Sequence, residues 1–176
     1  VGIPLMFDGL GLYYNQTIFD AAGKTPPTTW DELRKTAVDL TIIDEAGAIQ
    51  RAGVALGTTG NVDHWPDIVG VMLLQNSADP AKPNNTLGQD ALTFYTIFST
   101  GDGVWNDTLP ASTFAFATEK TAMMIAPSWR AHEVRDINPT IKFAIAPVPQ
   151  LPDTNTTWGS FWVEGVSAKS SSAKQQ

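Results

Sequence analysis

The sequence has no cysteine, so it forms no disulfide bond and offers no thiol for catalysis or metal binding. It has only two histidines, His64 and His132, and their separation does not match a metal-binding spacing such as HxxxH. Zinc sites and histidine-based catalysis are therefore not expected. No Gly-rich phosphate loop and no GxSxG nucleophile motif occurs, so we expect neither a cofactor nor a hydrolase of that type.

Charge and long apolar runs are also scarce. Only 16% of the 176 residues are charged, and the net charge of −7 comes without a cluster of Lys and Arg, so nucleic acid is not an expected partner. No apolar run of about 18 residues occurs, so the sequence predicts no membrane span. The length and an apolar content of 43% fit one globular domain. Tryptophan, by contrast, is frequent, with six residues.

One of these tryptophans lies in the stretch around which the chain is organised, residues 120–134, which read KTAMMIAPSWRAHEV. Its apolar run predicts a buried strand that Pro127 ends, and Ser128 is predicted to cap a helix that starts at Trp129. Ligands of open α/β sheets bind beyond the carboxyl ends of strands. Trp129 offers a flat apolar face with an N–H donor and Arg130 a fork of donors, a pair that suits a sugar ring. Alternatively, Trp129 is a core residue and Arg130 a surface charge.

A second candidate site is the loop TTGNVDHW, residues 58–65, which follows a strand pattern and leads into a helix. Asp63 is the predicted N-cap of that helix, and backbone N–H groups at a helix start bind polar ligand atoms. Its side chains within reach of a ligand are Asn61, Asp63, His64 and Trp65. The alternative is an ordinary capped helix with an exposed His64 and a buried Trp65.

The N-terminal stretch carries a third candidate. Apolar segments on both sides of Asp8 and Gly9 predict a strand, and Gly9 within it marks a bulge or a close backbone approach. Asp8 either faces a ligand at that break or is a turn carboxylate bonded to its own backbone. Because the strand pattern starts at Val1, we expect a fragment or a processed chain whose targeting signal lies elsewhere.

Local signals predict several other elements. Residues 29–32 match a capping box and start a helix on which Trp30 is a packing residue. Residues 53–57 predict a short buried strand. Ser112 is predicted to cap a short helix whose Phe114 points inward.

Four segments, taken in order, resemble the family 1 extracellular solute-binding proteins, the maltose-binding-protein-like receptors of ABC importers. The first, which resembles the hinge-crossing strand and first helices of their second lobe, is GIPLMFDGLGLYYNQTIFDAAGKTPPTTWDELRKTAVDLT. The second segment resembles their later signature, a short helix, a strand and a turn with tryptophan, and reads FATEKTAMMIAPSW. Their proline-rich strand exit and the strand that returns to the hinge resemble IKFAIAPVPQLP and WVEGVSAKS.

This resemblance implies an α/β fold, a periplasmic-binding-protein-like type II lobe with a mixed sheet flanked by helices. Residues 1–168 are expected to form the second, C-terminal lobe, with hinge-crossing strands near 1–15 and 158–168. Residues 169–176 are expected to be a tail or the start of a truncated helix. The first lobe of the same protein is expected to be a missing partner.

The resemblance also implies a function. It is that of a non-catalytic protein that closes around a solute, expected to be a mono- or oligosaccharide. The protein then delivers the solute to the membrane subunits of an ABC importer. Such a protein works outside the cytoplasm, in the periplasm or lipid-anchored on the outer face of the cell membrane.

By position, Trp129 matches the aromatic residue that stacks on a bound sugar in maltose-type receptors. Residues 61–65 match a cleft-lining loop, although Val62 and Asp63 stand where those receptors have an aromatic pair. Arg130 beside the stacking tryptophan favours an acidic or heavily hydroxylated ligand. The expected ligand-binding residues are Asp8, Gly9, Asn61, Asp63, His64, Trp65, Trp129, Arg130, Trp158, Phe161 and Trp162.

Two other classes of protein stay open at this point. A fragment of a carbohydrate-active enzyme needs two carboxylates at the separation of glycoside hydrolysis, and the sequence places no two of its acidic candidates there. These candidates are Asp8, Asp63, Glu119 and Glu164. A purely structural or interaction module holds its tryptophans in the core, whereas the receptor hypothesis predicts an exposed, aromatic-lined face where the first lobe sits.

Overall fold

The long first strand organises the sheet of this protein, whose computed structural model describes residues 2–170. The elements in chain order are β1 (Ile3–Asn15), α1 (Gln16–Ala22), α2 (Trp30–Leu40), β2 (Ile42–Ile43), β3 (Ile49–Arg51), α3 (Trp65–Gln75), α4 (Thr86–Thr100), α5 (Ser112–Ala117), β4 (Met123–Pro127), α6 (Arg130–Ile137), β5 (Phe143–Ala146) and β6 (Gly159–Glu164). Most of the expected tail, residues 171–176, lies outside the described residues.

β1 takes part in three antiparallel ladders. Its second half lies between β4 and β5, with Leu12 opposite Ile125 on one side and Ala146 on the other. Its first half pairs with β6, with Phe7 opposite Phe161. Parallel pairing among the described residues occurs as isolated bridges beside these ladders. The mixed α/β fold with a sheet flanked by helices is confirmed, and the ladders between its strands are antiparallel.

The two halves of β1 differ sharply in burial. Leu12 and Tyr13 are fully buried, whereas Phe7 is 75% exposed and every residue of β6 is exposed. The large exposed apolar side chains of this β1–β6 ladder are Ile3, Leu5, Met6, Phe7, Phe161, Trp162 and Val163. Neighbouring apolar side chains left in water in this way usually mark a surface of contact with another body.

The local signals of the first third of the chain are confirmed. Gly23 follows α1 in the left-handed conformation (φ 64°), which glycine adopts without strain. At the start of α2, Thr29 and Glu32 form the predicted capping box. Trp30 is buried, as expected of a packing residue, and its Nε1 donates to Gln75 Oε1 at 2.6 Å.

Two strand predictions are wrong. Residues 53–57 are largely buried but form no strand, because they meet the sheet through isolated hydrogen bonds instead of a ladder. In β1, Gly9 pairs in register with Gly159, and the irregularity falls between Pro4 and Met6. Proline has no N–H to give to a ladder, so the regular pairing breaks beside it.

The details predicted for α5 are also wrong. The helix begins at Ser112 with Ala111 as its N-cap, and the Ser112 hydroxyl donates to Asp63 Oδ2 (3.0 Å). Phe114 is 50% exposed, whereas Phe116 is fully buried. Two residues apart on a helix place side chains on nearly opposite faces, so only one of the two phenylalanines points inward.

The core beneath the sheet contains several aromatic side chains that are fully buried. The largest fully buried ones are Trp105, Tyr13, Tyr95, Phe19, Phe98 and Phe116. Such a core gives the sheet edge that carries the candidate site a rigid support. In the described part of the chain, no helix combines the length and apolar character needed to cross a membrane.

Candidate functional site

Trp129 lies on the surface where β4 ends and α6 begins. Its side chain is 47% exposed, so it is not a core residue. The prediction that Ser128 caps the helix is wrong, because Trp129 itself occupies the N-cap position and makes no capping bond. The Ser128 hydroxyl and N–H donate instead to Asp8, at 2.7 and 3.0 Å. These charge-assisted bonds orient the Ser128 side chain toward Asp8 and away from the N–H groups of the helix.

Asp8 joins the first strand to this turn. Its Oδ1 accepts from Ser128 and also from the N–H of Gly9 (2.8 Å), so part of the turn-carboxylate alternative holds. Its Oδ2 is buried, and no donor among residues 2–170 bonds to it. A cavity of about 10 Å³ beside it is lined by Asp8, Gly9, Leu10, Asp67, Pro127, Trp158 and Ser160. Asp8 therefore keeps one strong acceptor, beside a space for about one water-sized group.

Tyr13 holds the same turn from below, a role that the sequence analysis missed. Its hydroxyl donates its single proton to the carbonyl oxygen of Pro127 (2.7 Å), and the carbonyl oxygen of Ser128 also lies within hydrogen-bond distance (3.1 Å). Burial raises the pKa of Tyr13 to about 12, so the phenol stays protonated and remains a donor. The position of Trp129 is thus supported by two side chains of β1.

Arg130 is committed to contacts within the chain. Its guanidinium carbon lies 4.3 Å from the centroid of the Trp129 ring, a cation–π contact. Its Nε donates to His64 Nε2 (2.9 Å), and its Nη1 donates to Glu133 Oε2. His64 also meets the Trp129 ring edge-on, with centroids 5.6 Å apart. Two of its five N–H donors are thus used by its own neighbours, and the indole covers part of the fork that the sequence assigned to a ligand.

The bond from Arg130 determines the protonation of His64. Because Nε2 accepts a proton donor, the ring is neutral and its own proton is on Nδ1, which lies 3.6 Å from Asp67 Oδ2. Burial, and after it the positive charge of Arg130, lower the pKa of His64. At neutral pH the imidazole therefore stays an acceptor.

Asp63 does not cap α3, as the sequence predicts, because His64 occupies the N-cap position there. Its Oδ2 accepts instead from Ser112 and from the N–H (2.9 Å) and hydroxyl (2.7 Å) of Thr113, at the start of α5. Desolvation raises the pKa of Asp63, but the hydrogen bonds from Thr113 and Ser112 outweigh it and lower the pKa overall. Asp63 thus fastens α5 to the loop.

Trp158, which directly precedes β6, completes the site. Its Nε1 donates to Asp67 Oδ1 (2.9 Å), and its carbonyl accepts from Leu10 N (3.2 Å). Its ring lies so close to Gly70 that a Cβ there would be 2.6 Å from two ring atoms. Asp67, which links Trp158 to His64, was also missed, and its place in the first turn of α3 was the available signal.

The structure therefore brings together six of the predicted residues and separates the other five. The six are Asp8, Gly9, His64, Trp129, Arg130 and Trp158, and we call them the cleft cluster. Both polar atoms of the Asn61 amide are used within the loop. Its Nδ2 donates to Asn106 O and Leu109 O (both 2.9 Å), and its Oδ1 accepts from Thr58 and from Trp105 Nε1. Asp63 turns to α5, and Trp65 packs partly into the core. Phe161 and Trp162 lie on the β1–β6 ladder.

A larger groove of about 320 Å³ lies elsewhere, between α2, α3 and α4. It is mainly apolar, with Trp30, Met72, Phe94 and Leu151 in its lining and the carboxylates of Asp31 and Asp90 beside them. None of the predicted site residues lines it. Volume alone therefore does not identify the site, and the convergence of polar groups at the cleft cluster is the stronger signal.

Comparison with known proteins places the chain in a group of binding proteins. A family model described as bacterial extracellular solute-binding protein matches residues 1–176. A curated binding protein of Brucella abortus (strain 2308) is 23% identical over 164 residues, which cover 86% of this chain and 38% of the relative.

Solved structures of about twice the length share the fold. An ABC transporter solute-binding protein of Thermotoga lettingae, bound with α-D-tagatose, matches with a TM-score of 0.74 and 23% identity, over 92% of this chain and 44% of that one. The GacH receptor of Streptomyces glaucescens, studied with acarbose, gives 0.71 and 20%, over 96% and 44%. The chain thus spans less than half the length of the relatives it matches.

Proposed function

The chain belongs to the family of bacterial extracellular solute-binding proteins, and from that premise we propose that it is one lobe of a receptor for an ABC importer. Residues 1–168 would be the second lobe, with strands near 1–15 and 158–168 crossing to the first. The exposed apolar side chains of the β1–β6 ladder support this, because a lobe on either side of crossing strands removes them from water. The match to less than half of each relative supports it too.

The proposed ligand is a mono- or oligosaccharide. The observation that carries this proposal is the half-exposed indole of Trp129 beside the unpartnered, buried Oδ2 of Asp8. A sugar ring offers an apolar C–H face to an indole and a hydroxyl edge to a carboxylate. Similar solved structures hold tagatose, mannobiose and maltotriose, which supports this ligand class.

We propose that the protein acts by binding alone. A ligand that contacts both lobes favours the closed state, and the closed receptor is the form that the importer subunits would recognise. Catalysis needs carboxylates free to exchange protons or attack, and Asp63 is taken up by three donors at α5. The family description supports a location outside the cytoplasm, in the periplasm or lipid-anchored on the outer face of the cell membrane.

Calorimetric titration of a panel of mono- and oligosaccharides against the intact receptor tests this proposal. We expect binding to at least one sugar and its loss in Trp129→Ala. The matched control is Phe114→Ala, which removes a half-exposed aromatic side chain from α5 and should leave the affinity unchanged. Equal affinity of wild type and Trp129→Ala would contradict the proposed site, and sugar hydrolysis in the same sample would favour the enzyme class.

A further inference from the structure

We propose that Arg130 is a positioning residue that covers one face of the Trp129 indole, so that a ligand ring has only the opposite face to stack on. This inference rests on the proposed function, because it concerns the same binding site. It also changes the role of Arg130 from a ligand donor, as the sequence suggests, to a part that shapes the aromatic platform.

The geometry at the ring supports a one-sided platform. A guanidinium carbon 4.3 Å from the ring centroid lies over the face of the indole, within ordinary cation–π distance. His64 meets the ring at 83°, so it does not lie flat on the second face, as a stacked ligand ring would. With Trp129 still 47% exposed, the uncovered face is the surface that a ligand can reach.

The guanidinium is held in place from two further sides. Glu133 accepts from Nη1, and His64 Nε2 accepts from Nε at 2.9 Å. Three contacts on one planar group leave it little freedom to turn toward a ligand. A lysine at this position would keep the charge but would lose the flat stacking surface and the Nε donor.

The bond to His64 makes this arrangement depend on pH. Protonation of Nε2 removes the acceptor and places an imidazolium beside the guanidinium, so the two groups would repel each other. The charged groups around the ring are Arg130 and Glu133 of α6, Asp67 of α3 and Asp63 of the preceding loop. Asp67 and Asp63 raise the pKa of His64 by less than burial and Arg130 lower it, so the neutral form is favoured overall. Acid should therefore release Arg130 and loosen Trp129.

Fluorine NMR of the intact protein labelled with 5-fluorotryptophan tests this without any ligand. The Trp129 resonance is assigned by its absence in Trp129→Phe, and it is followed from pH 8 to pH 5. We expect one titration with a midpoint below 6.5, the ordinary value for histidine. In His64→Gln, the glutamine amide oxygen accepts the same bond but does not titrate. The Trp129 resonance should therefore keep its chemical shift at pH 8 and no longer change with pH.

Two further variants show whether Arg130 is the link. Arg130→Ala should shift the Trp129 resonance at pH 8 and remove its titration. Arg135→Ala removes the other stacked arginine of α6, which lies 5.4 Å from the Phe143 ring, and should titrate like the wild type. A Trp129 resonance that does not titrate in the wild type, or titrates equally in His64→Gln, would overturn the inference.

The outcomes also separate this inference from the proposed function. If Trp129 titrates as expected but no sugar binds, the platform is real and the proposed ligand is wrong. If sugars bind through Trp129, but its resonance changes neither with pH nor in Arg130→Ala, the proposed function stands and the positioning role of Arg130 is wrong. If Arg130→Ala does not fold, the His64→Gln titration still decides.

Discussion

Replacing Asp8 with asparagine separates the two roles that the structure gives to this carboxylate. Oδ1 accepts three hydrogen bonds from Gly9 and Ser128, whereas Oδ2 has no donor within residues 2–170. Asparagine has the same shape and keeps one oxygen for the three bonds, but it places an NH₂ group in the position of Oδ2. Asp8→Asn therefore keeps the turn and exchanges the free acceptor for a donor.

The expected effects follow from the strength of these bonds. A hydrogen bond to a charged group contributes about 1.5–3 kcal/mol and a neutral one about 0.5–1.5 kcal/mol. Because the bonds from Ser128 are exposed, we take the low end and expect Asp8→Asn to lower the free energy of unfolding by about 1 kcal/mol. Asp8→Ala leaves all three donors without this acceptor and should lower it by about 2–3 kcal/mol.

The effect on ligand affinity should be larger than the effect on folding. A sugar hydroxyl that donates to Oδ2 loses its charged acceptor in Asp8→Asn, so the affinity should fall about 10- to 100-fold. Urea unfolding measures the stability, and calorimetric titration with the sugar found in the panel measures the affinity.

Asp44→Asn is the matched control for this experiment. Asp44 also accepts several bonds in a turn, from Ala46, Ala48 and Gln50, but it lies in the β2–β3 hairpin. It should lose some stability and leave the affinity unchanged. Wild-type affinity in Asp8→Asn, or an equal loss of affinity in Asp44→Asn, would refute the reasoning.

Two further predictions concern stability. Because the pKa of His64 is lowered in the folded protein, the unfolded state binds more protons around and below pH 6.5. Lowering the pH from 7 to 5 should therefore reduce the free energy of unfolding. The reduction should be smaller in His64→Gln, which has no imidazole at this position. Equal pH slopes in urea unfolding would contradict this. Gly53→Ala places a Cβ 1.9 Å from the carbonyl oxygen of Ala37 and should cost about 3 kcal/mol or more, whereas Gly60→Ala, whose nearest atom is 3.5 Å away, should cost about 0.5 kcal/mol or less. Similar stabilities of the two alanine variants would show that residues 53–57 and α2 can move apart at little cost in free energy.

Sequence signals were sufficient wherever the controlling atoms are close along the chain. The capping box of Thr29 and Glu32 and the glycine stop at Gly23 span a few residues each, and both are confirmed. The buried strand that ends at Pro127 is equally local, since its apolar run has no competing interpretation. The family resemblance then supplied the order of these parts, which local physics alone does not determine.

The two predicted serine caps, Ser112 and Ser128, are wrong for one shared reason. Ser128 and Ser112 are good capping residues, but each lies near a carboxylate that comes from a distant part of the chain. Asp8 is 120 residues from Ser128, and Asp63 is 49 residues from Ser112. The bond that the serine O–H donates to a carboxylate orients the side chain, so its oxygen no longer points at the N–H groups of the helix start. Only the folded chain shows which serine has such a competitor.

The same argument decides which predicted site residues can serve a ligand. A polar side chain near a cleft is available only if its own neighbours leave part of its hydrogen-bonding capacity unused. Asn61 and Asp63 are engaged by donors and acceptors of the loop, and Arg130 is held by His64, Glu133 and the indole. The cleft cluster still has one unpartnered oxygen of Asp8 and one uncovered face of Trp129. An acceptor beside a single apolar face favours a neutral hydroxylated ring over the acidic ligand that Arg130 alone suggests.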